Sequence, residues 1–445
     1  MNSKLFVGLG LLILLCSGQV WSQEAPGLKS LSFPVIQYSL KNGLRVILSE
    51  DDSLPIVSVV MAYNAGSIYE QPGKTSLAYL VENLMFQGSE NIAPMQHFSY
   101  IQRIGGLLNA ATSYDKTLFY QTVPSNQLAL VLWLESDRLR SLAISRGSLE
   151  KTKDALIEER RQRQASDLYF ESYTLFDQLL FPDFAYGHPF IGTEEDLRNL
   201  AEDDVNTFYT AHYTPNNAVL CITGQIDIPR TKDFVSRYFE TIPRGEEVSP
   251  VAPPTIPKAG PVIQTLKDTL ASRPAFHLGF RIQSLQTGDY YTSKIMDYLL
   301  LRGKTSRLHR RLMKKERVAY YLSGGLEERK GGLVFKIFAI NNNDVMTERS
   351  QKSILSEMNK LKTEYVSGAE LEKAKVMFKT DYLMRVSTTL DKALFLCDIV
   401  FSQVQVTDLN AELNKYLRVS PTAVLSLAKR HLIPENMVLL NIKIK

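Results

Sequence analysis

A proline-rich stretch at residues 246–261 divides the chain into two halves that each need a core of their own. Proline fixes φ and removes a backbone donor, so neither a helix nor a central strand can run through this stretch. Its prolines are Pro250, Pro253, Pro254, Pro257 and Pro261. On both sides, strand-like and helix-like patterns alternate for about 200 residues, which is typical of an α+β fold. We therefore predict lobes at residues 23–245 and 262–445, joined by a linker at 246–261.

The two halves contain the same mixture of elements, which predicts two homologous-looking α/β-sandwich lobes. In each lobe a mixed or antiparallel sheet would be covered by helices. Asn42 and Gly43 lie between two apolar alternating segments and predict a β-hairpin near the start of the first lobe. The 445 residues carry a formal net charge of +4. That near balance does not indicate a nucleic-acid partner.

The N-terminus has the pattern of an export signal. A run of 12 apolar or glycine residues, 5–16, is shorter than the roughly 20 needed to span a bilayer. We predict a signal peptide at residues 1–22, cleaved near Ser22, and a periplasmic or secreted protein; a retained short anchor is the alternative. Cys221 and Cys397 would then be the remaining cysteines. A disulfide between them stays open, although two small buried hydrophobes are favoured.

Residues 76–87 carry the pattern of a buried helix with a polar group on a different face. Its apolar positions recur at helical spacing and are Leu77, Leu80, Val81, Leu84 and Met85. Tyr79, Glu82 and Asn83 are spaced i, i+3 and i+4, so their side chains share one side of the helix. These three residues form the most informative cluster of the first lobe.

Further motifs follow this helix in a fixed order. They are Gly105-Gly106-Leu107-Leu108-Asn109-Ala110, Thr112-Ser113-Tyr114-Asp115, Tyr186-Gly187-His188-Pro189, Tyr213-Thr214-Pro215-Asn216-Asn217-Ala218, and Ser306-Arg307-Leu308 leading to Ala319-Tyr320. With these motifs the chain from about Phe33 onward resembles the insulinase/pitrilysin-type peptidases, in the size class of the mitochondrial processing peptidase. The resemblance implies a zinc-peptidase scaffold over nearly the whole mature chain.

The chain departs from that family at the metal site. The family carries His-x-x-Glu-His on this helix, where two histidines bind zinc and the glutamate activates water. Here Tyr79 and Asn83 stand at the histidine positions, and Glu82 keeps the glutamate position. The resemblance implies Glu159 as the third ligand position, with Glu158 as the alternative register. A phenol and an amide replace imidazole poorly, so we predict no metal, no cofactor and an idle Glu82.

The resemblance also implies where a peptide would bind. Asn109 and Ala110 match the family's peptide-binding edge strand, and backbone pairing does not require zinc; alternatively, Asn109 only serves a turn. In the second lobe Tyr320 matches a substrate-holding tyrosine, but Met313 stands at the position of the accompanying arginine. We therefore predict that the chain still binds peptides although it has lost catalytic activity.

Together these features favour a non-catalytic pseudo-peptidase subunit. We predict that it pairs with a homologous zinc-bearing subunit, as a heterodimer or a larger assembly, to bind and process peptides. The chain alone is then not expected to be an active peptidase. One alternative is a structural or peptide-binding protein without a proteolytic role. Another is an active zinc metallopeptidase with unusual ligands.

Overall fold

The computed structural model describes residues 33–251, 260–282, 288–330, 332–401 and 409–444. The predicted signal peptide lies outside the described residues, and so does half of the predicted linker, at 252–259. Within the described ranges, no helix is long and apolar enough to cross a membrane.

Two β-sheets form the framework of the protein. The first contains β1 (Ile36–Ser39), β2 (Arg45–Glu50), β3 (Ile56–Tyr63), β4 (Leu107–Thr112), β5 (Thr117–Pro124) and β6 (Ala218–Gly224). The second contains β7 (Val262–Asp268), β8 (Ala275–Ile282), β9 (Ala319–Arg329), β10 (Gly332–Asn341) and β11 (Met437–Ile444). The predicted hairpin is present, since β1 and β2 pair antiparallel and Gly43 between them has φ +91°.

The two sheets share one topology. The first has the order β1-β2-β6-β3-β5-β4 and the second the order β7-β11-β8-β10-β9. Apart from the extra strand β1, the first strand of each unit pairs parallel with its last strand, and the other neighbours pair antiparallel. This repeat confirms the predicted α+β architecture of two similar lobes with mixed sheets.

Helices cover the sheets in both halves. In the first half they are α1 (Leu77–Leu84), α2 (Gln96–Arg103), α3 (Leu128–Arg140), α4 (Arg146–Ser166), α5 (Phe170–Leu180), α6 (Phe184–Gly187), α7 (Glu194–Asn199), α8 (Glu202–His212) and α9 (Ile228–Phe239). In the second half they are α10 (Gly288–Leu300), α11 (Asp344–Thr363), α12 (Gly368–Met384), α13 (Thr389–Phe401), α14 (Leu409–Leu417) and α15 (Pro421–His431). A π-helical segment, His309–Lys315, precedes β9.

Each half lends one helix to the other half's sheet. Helix α13 lies on β3 and β6, where Thr389 accepts a hydrogen bond from Thr223 at 2.6 Å and its hydroxyl lies 2.8 Å from that of Ser58. Cys397 of α13 and Cys221 of β6 are buried free thiols that contact each other there. Helix α5 in turn packs on β8 and β11 of the second sheet. Each half therefore contributes a helix that packs on the sheet of the other half.

A buried charge cluster reinforces this junction. Asp177 of α5 accepts hydrogen bonds from Arg329 at 3.0 Å and from Tyr114 at 3.1 Å, and it also pairs with Lys336. Burial works to raise the pKa of Asp177, but the two cations outweigh it and its pKa is lowered. The carboxylate thus stays ionised and joins the first half to the β9–β10 hairpin.

Candidate functional site

Helix α1 is held by one buried apolar stripe and by a cap from outside the helix. Its apolar residues Leu77, Leu80, Val81 and Leu84 are all buried, as the spacing predicts. Ser76 adopts φ 74° and provides no side-chain cap. Instead the Glu70 carboxylate accepts from the backbone N–H groups of Ser76 at 3.1 Å and Ala78 at 2.8 Å. A negative group beside the first-turn N–H donors stabilises a helix start.

His188 fixes the carboxylate that caps α1. Its Nδ1 lies 2.6 Å from the carbonyl oxygen of Phe184, and its Nε2 lies 3.0 Å from Glu70 Oε2. Burial raises the pKa of Glu70, although the contact with His188 works against the rise. The histidine of the Tyr-Gly-His-Pro motif therefore has a buried positioning role. Sequence reasoning did not find Glu70, and the motif alone gave no role to His188.

Tyr79 is joined directly to Glu159. Its hydroxyl lies 2.9 and 3.0 Å from the two carboxylate oxygens of Glu159 on α4. Arg163 donates to the same carboxylate, at Oε1, over 2.6 Å. Burial and the negative charge of Glu159 raise the pKa of Tyr79, so the phenol stays protonated and neutral. The cavity beside this pair measures about 10 Å³, which is room for one water molecule.

Asn83 and Glu158 point to other partners. Asn83 Nδ2 donates to the carbonyl oxygen of Tyr79, one turn back on its own helix, at 2.9 Å. Glu158 is exposed and accepts from Gln162 at 3.0 Å. Of the two candidate glutamates, Glu159 is therefore the one that faces α1.

Glu82 is a buried carboxyl group with one unpartnered oxygen. It is 8% exposed, and within the described structure its Oε2 has no hydrogen-bond partner. Burial raises its pKa to about 7, and the nearby charge of Glu159 adds to the rise although Thr112 donates to the carboxyl. At neutral pH the carboxyl group is therefore only partly ionised.

The side chains at this position do not fit zinc. The set offers a protonated phenol, an amide turned toward its own helix and a single carboxylate that is already bound by Tyr79 and Arg163. Zinc sites require three or four deprotonated nitrogen, sulfur or oxygen ligands. Among the described residues, no group of three or more His, Cys, Asp or Glu side chains is arranged to hold a metal ion.

Strand β4 borders this site and forms an edge of the first sheet. Among the described strands it pairs only with β5, and no described strand lies along its outer side. Asn109 lies within β4, not in a turn, and its Oδ1 accepts from the N–H of Ala110 at 2.9 Å. The side chain of Thr112, at the end of the same strand, contacts Glu82. An added peptide strand along β4 would therefore pass close to Glu82.

Tyr320 lies in the other lobe, at the start of the edge strand β9. Its side chain is 63% exposed, and the Arg273 guanidinium lies 4.6 Å from the ring centre. In the described part of the chain, no contact joins it to the cluster around Tyr79. The structure thus brings Tyr79, Glu82, Asn83 and Glu159 together and leaves Tyr320 on the second sheet.

Comparison with family models identifies the scaffold. Residues 45–181 match the model described as insulinase (peptidase family M16), and residues 199–377 match the one described as peptidase M16 inactive domain. The first match lies within the first lobe, and the second runs from the end of α7 in the first lobe to α12 in the second lobe. Both models describe M16 peptidases, so the fold and the matches define an M16 peptidase-like protein. The chain belongs to the insulinase (M16) family, as its motifs predict.

The similarity to named relatives extends over most of the chain. The chain is 25% identical over 400 residues to the zinc protease PqqE of Helicobacter pylori, which covers 85% of this chain and 89% of the relative. It is 22% identical over 405 residues to the mitochondrial-processing peptidase subunit beta of Saccharomyces cerevisiae, covering 87% and 84%. The crystal structure of a protease from H. pylori superposes with a TM-score of 0.87 at 23% identity, covering 93% of this chain and 100% of that one.

Proposed function

We propose that this protein is a non-catalytic member of the M16 family. It pairs with a homologous subunit that carries an intact zinc motif, and the pair binds and processes peptides. The observation that carries the proposal is the Tyr79–Glu159 hydrogen bond, which uses the carboxylate at the position expected for a zinc ligand. Without a Lewis acid, Glu82 could supply only general-base help, far less than peptide hydrolysis needs.

Two further observations support a role beside a catalytic partner. The second family model is described as an inactive domain, and one relative is named as a subunit. The scaffold around α1 is complete, since the buried stripe, the Glu70 cap and the edge strand β4 are all present. These features would allow the chain to hold a peptide beside a catalytic partner.

The proposed assignments of residues follow from this role. Asn109 and Ala110 on β4 and Tyr320 on β9 would contact the peptide, while Tyr79, Asn83 and Glu159 occupy the former metal position. We propose export to the periplasm or the exterior, since a signal peptide at residues 1–22 would direct the chain there.

A reconstitution experiment tests the proposal. A homologue from the same source, with an intact His-x-x-Glu-His helix, is purified with and without this chain. Light scattering after size exclusion should show a complex, and the mixture should cleave a peptide library faster than the homologue alone. As a control, replacing the glutamate of the homologue's zinc motif by glutamine should abolish all cleavage by the mixture.

The other outcomes separate the alternatives. If the homologue keeps its rate and both proteins stay monomeric, the proposed pairing is wrong. Peptide binding by this chain, with no complex formed and no change in the rate of the homologue, would favour the peptide-binding alternative. Zinc-dependent cleavage by this chain alone, lost on Glu159→Ala, would establish the active peptidase with unusual ligands.

A further inference from the structure

A cavity in the second lobe is lined by charged side chains of both signs. It measures about 340 Å³ and lies between the π-helical segment His309–Lys315 and helices α11 and α12. Its cationic side chains are Arg307, Arg310, Arg311, Lys315 and Lys360. Three glutamates complete the lining, so the cavity carries a net charge of +2. Such a lining selects against apolar ligands and in favour of anions.

The glutamates serve to hold two of the arginines in place. Glu370 accepts both bonds from Arg307, each at 2.7 Å. Glu316 and Glu357 accept from Arg311 at 2.8 and 2.7 Å. Their charge is thereby balanced within the wall, and the arginine side chains lose little freedom on binding a ligand. Such preorganisation lowers the cost of recognition.

Two cations at the mouth of this cavity are not paired with a carboxylate in the described structure. Arg310 and Lys315 are exposed, and no ion pair or side-chain hydrogen bond is described for either of them in the part of the chain that the structure covers. Both belong to the π-helical segment, a rare helix type that is frequent at functional sites. Their ammonium and guanidinium groups are the donors left for a ligand.

We propose that this cavity binds a compact multivalent anion of the oligophosphate class. An ion of single charge would leave most of the volume and one of the two mouth cations unused. An oligophosphate concentrates several negative charges in a few atoms, and arginine and lysine both donate to phosphate oxygens. The site uses neither β4 nor the cluster around Tyr79, but the π-helical segment that lines it leads directly into β9, where Tyr320 lies.

Isothermal titration of the purified protein with sodium tripolyphosphate, at fixed ionic strength, tests the site. The wild type should bind one equivalent saturably. The R310A/K315A variant should bind at least about tenfold more weakly, because two charge-assisted contacts are removed. The R237A/K267A variant removes two exposed cations elsewhere and is the matched control; it should bind like the wild type.

Three results would overturn the proposal. The first is equal weakening in both variants, which would mean that only overall charge attracts the anion. The second is tight binding of hexaglutamate without binding of tripolyphosphate, which would make the cavity a contact for an acidic protein segment. The third is the absence of saturable binding to a wild type whose melting temperature shows it to be folded.

Discussion

Glu82→Gln should stabilise the protein, and the gain should depend on pH. Burial raises the pKa of the Glu82 carboxyl from its ordinary 4.5 to about 7. At a pH above both values the group is ionised in the folded and unfolded states, and the shift then lowers the free energy of unfolding by about 3 kcal/mol. Below pH 4.5 the group is protonated in the folded and unfolded states, so it has no effect. Between these pH values the folded state retains a proton that the unfolded state releases, so stability falls as pH rises. Glutamine keeps the shape of the neutral acid and removes this loss.

Urea denaturation at a series of pH values measures the effect. The unfolding free energy of the variant should equal that of the wild type at about pH 4 and exceed it by about 3 kcal/mol at about pH 8. Glu158→Gln, at an exposed carboxyl on α4, is the control and should differ from the wild type by only a few tenths of a kcal/mol throughout. A difference for Glu82→Gln that stays constant over this range, or a variant less stable at the higher pH, would refute the reasoning.

Three substitutions test other contacts. Asp177→Ala should cost about 2 kcal/mol in urea denaturation, because buried Arg329 and half-buried Lys336 lose one of the two carboxylates, Asp177 and Glu327, that they share; a loss below about 0.5 kcal/mol would contradict this. Glu70→Ala should remove the cap of α1 and speed hydrogen exchange of that helix's amides, whereas unchanged exchange would show that the cap is dispensable. Tyr79→Phe should cost about 1 kcal/mol in thermal unfolding, because Glu159 loses one neutral donor; a loss above about 3 kcal/mol would show that the bond is more strongly coupled.

Local patterns in the sequence were sufficient for the elements around the site. The period of 3.6 residues predicted the buried stripe of α1, and the Asn-Gly pair predicted the turn between β1 and β2. Both depend on neighbours within a few residues, where side-chain spacing and backbone preference decide the structure. The same spacing placed Tyr79, Glu82 and Asn83 on one side of the helix.

Contacts between distant residues could not be predicted in this way. His188 meets Glu70 across 118 positions of the chain, and no pattern near either residue indicates the other. The exchange of α5 and α13 between the sheets also depends on tertiary packing, since an apolar helix face does not specify which sheet will cover it. The pairing of Tyr79 with Glu159 is of the same kind, because it depends on how α1 and α4 pack.

Zinc content tests the central claim most directly. The folded wild type is incubated with excess zinc, dialysed and analysed by mass spectrometry of the metal, beside the Tyr79→His/Asn83→His double variant. The account predicts well below one zinc per wild-type chain and one zinc per chain of the double variant, lost again when Glu159→Ala is added. One tightly held zinc per wild-type chain, released by Glu159→Ala, would contradict it.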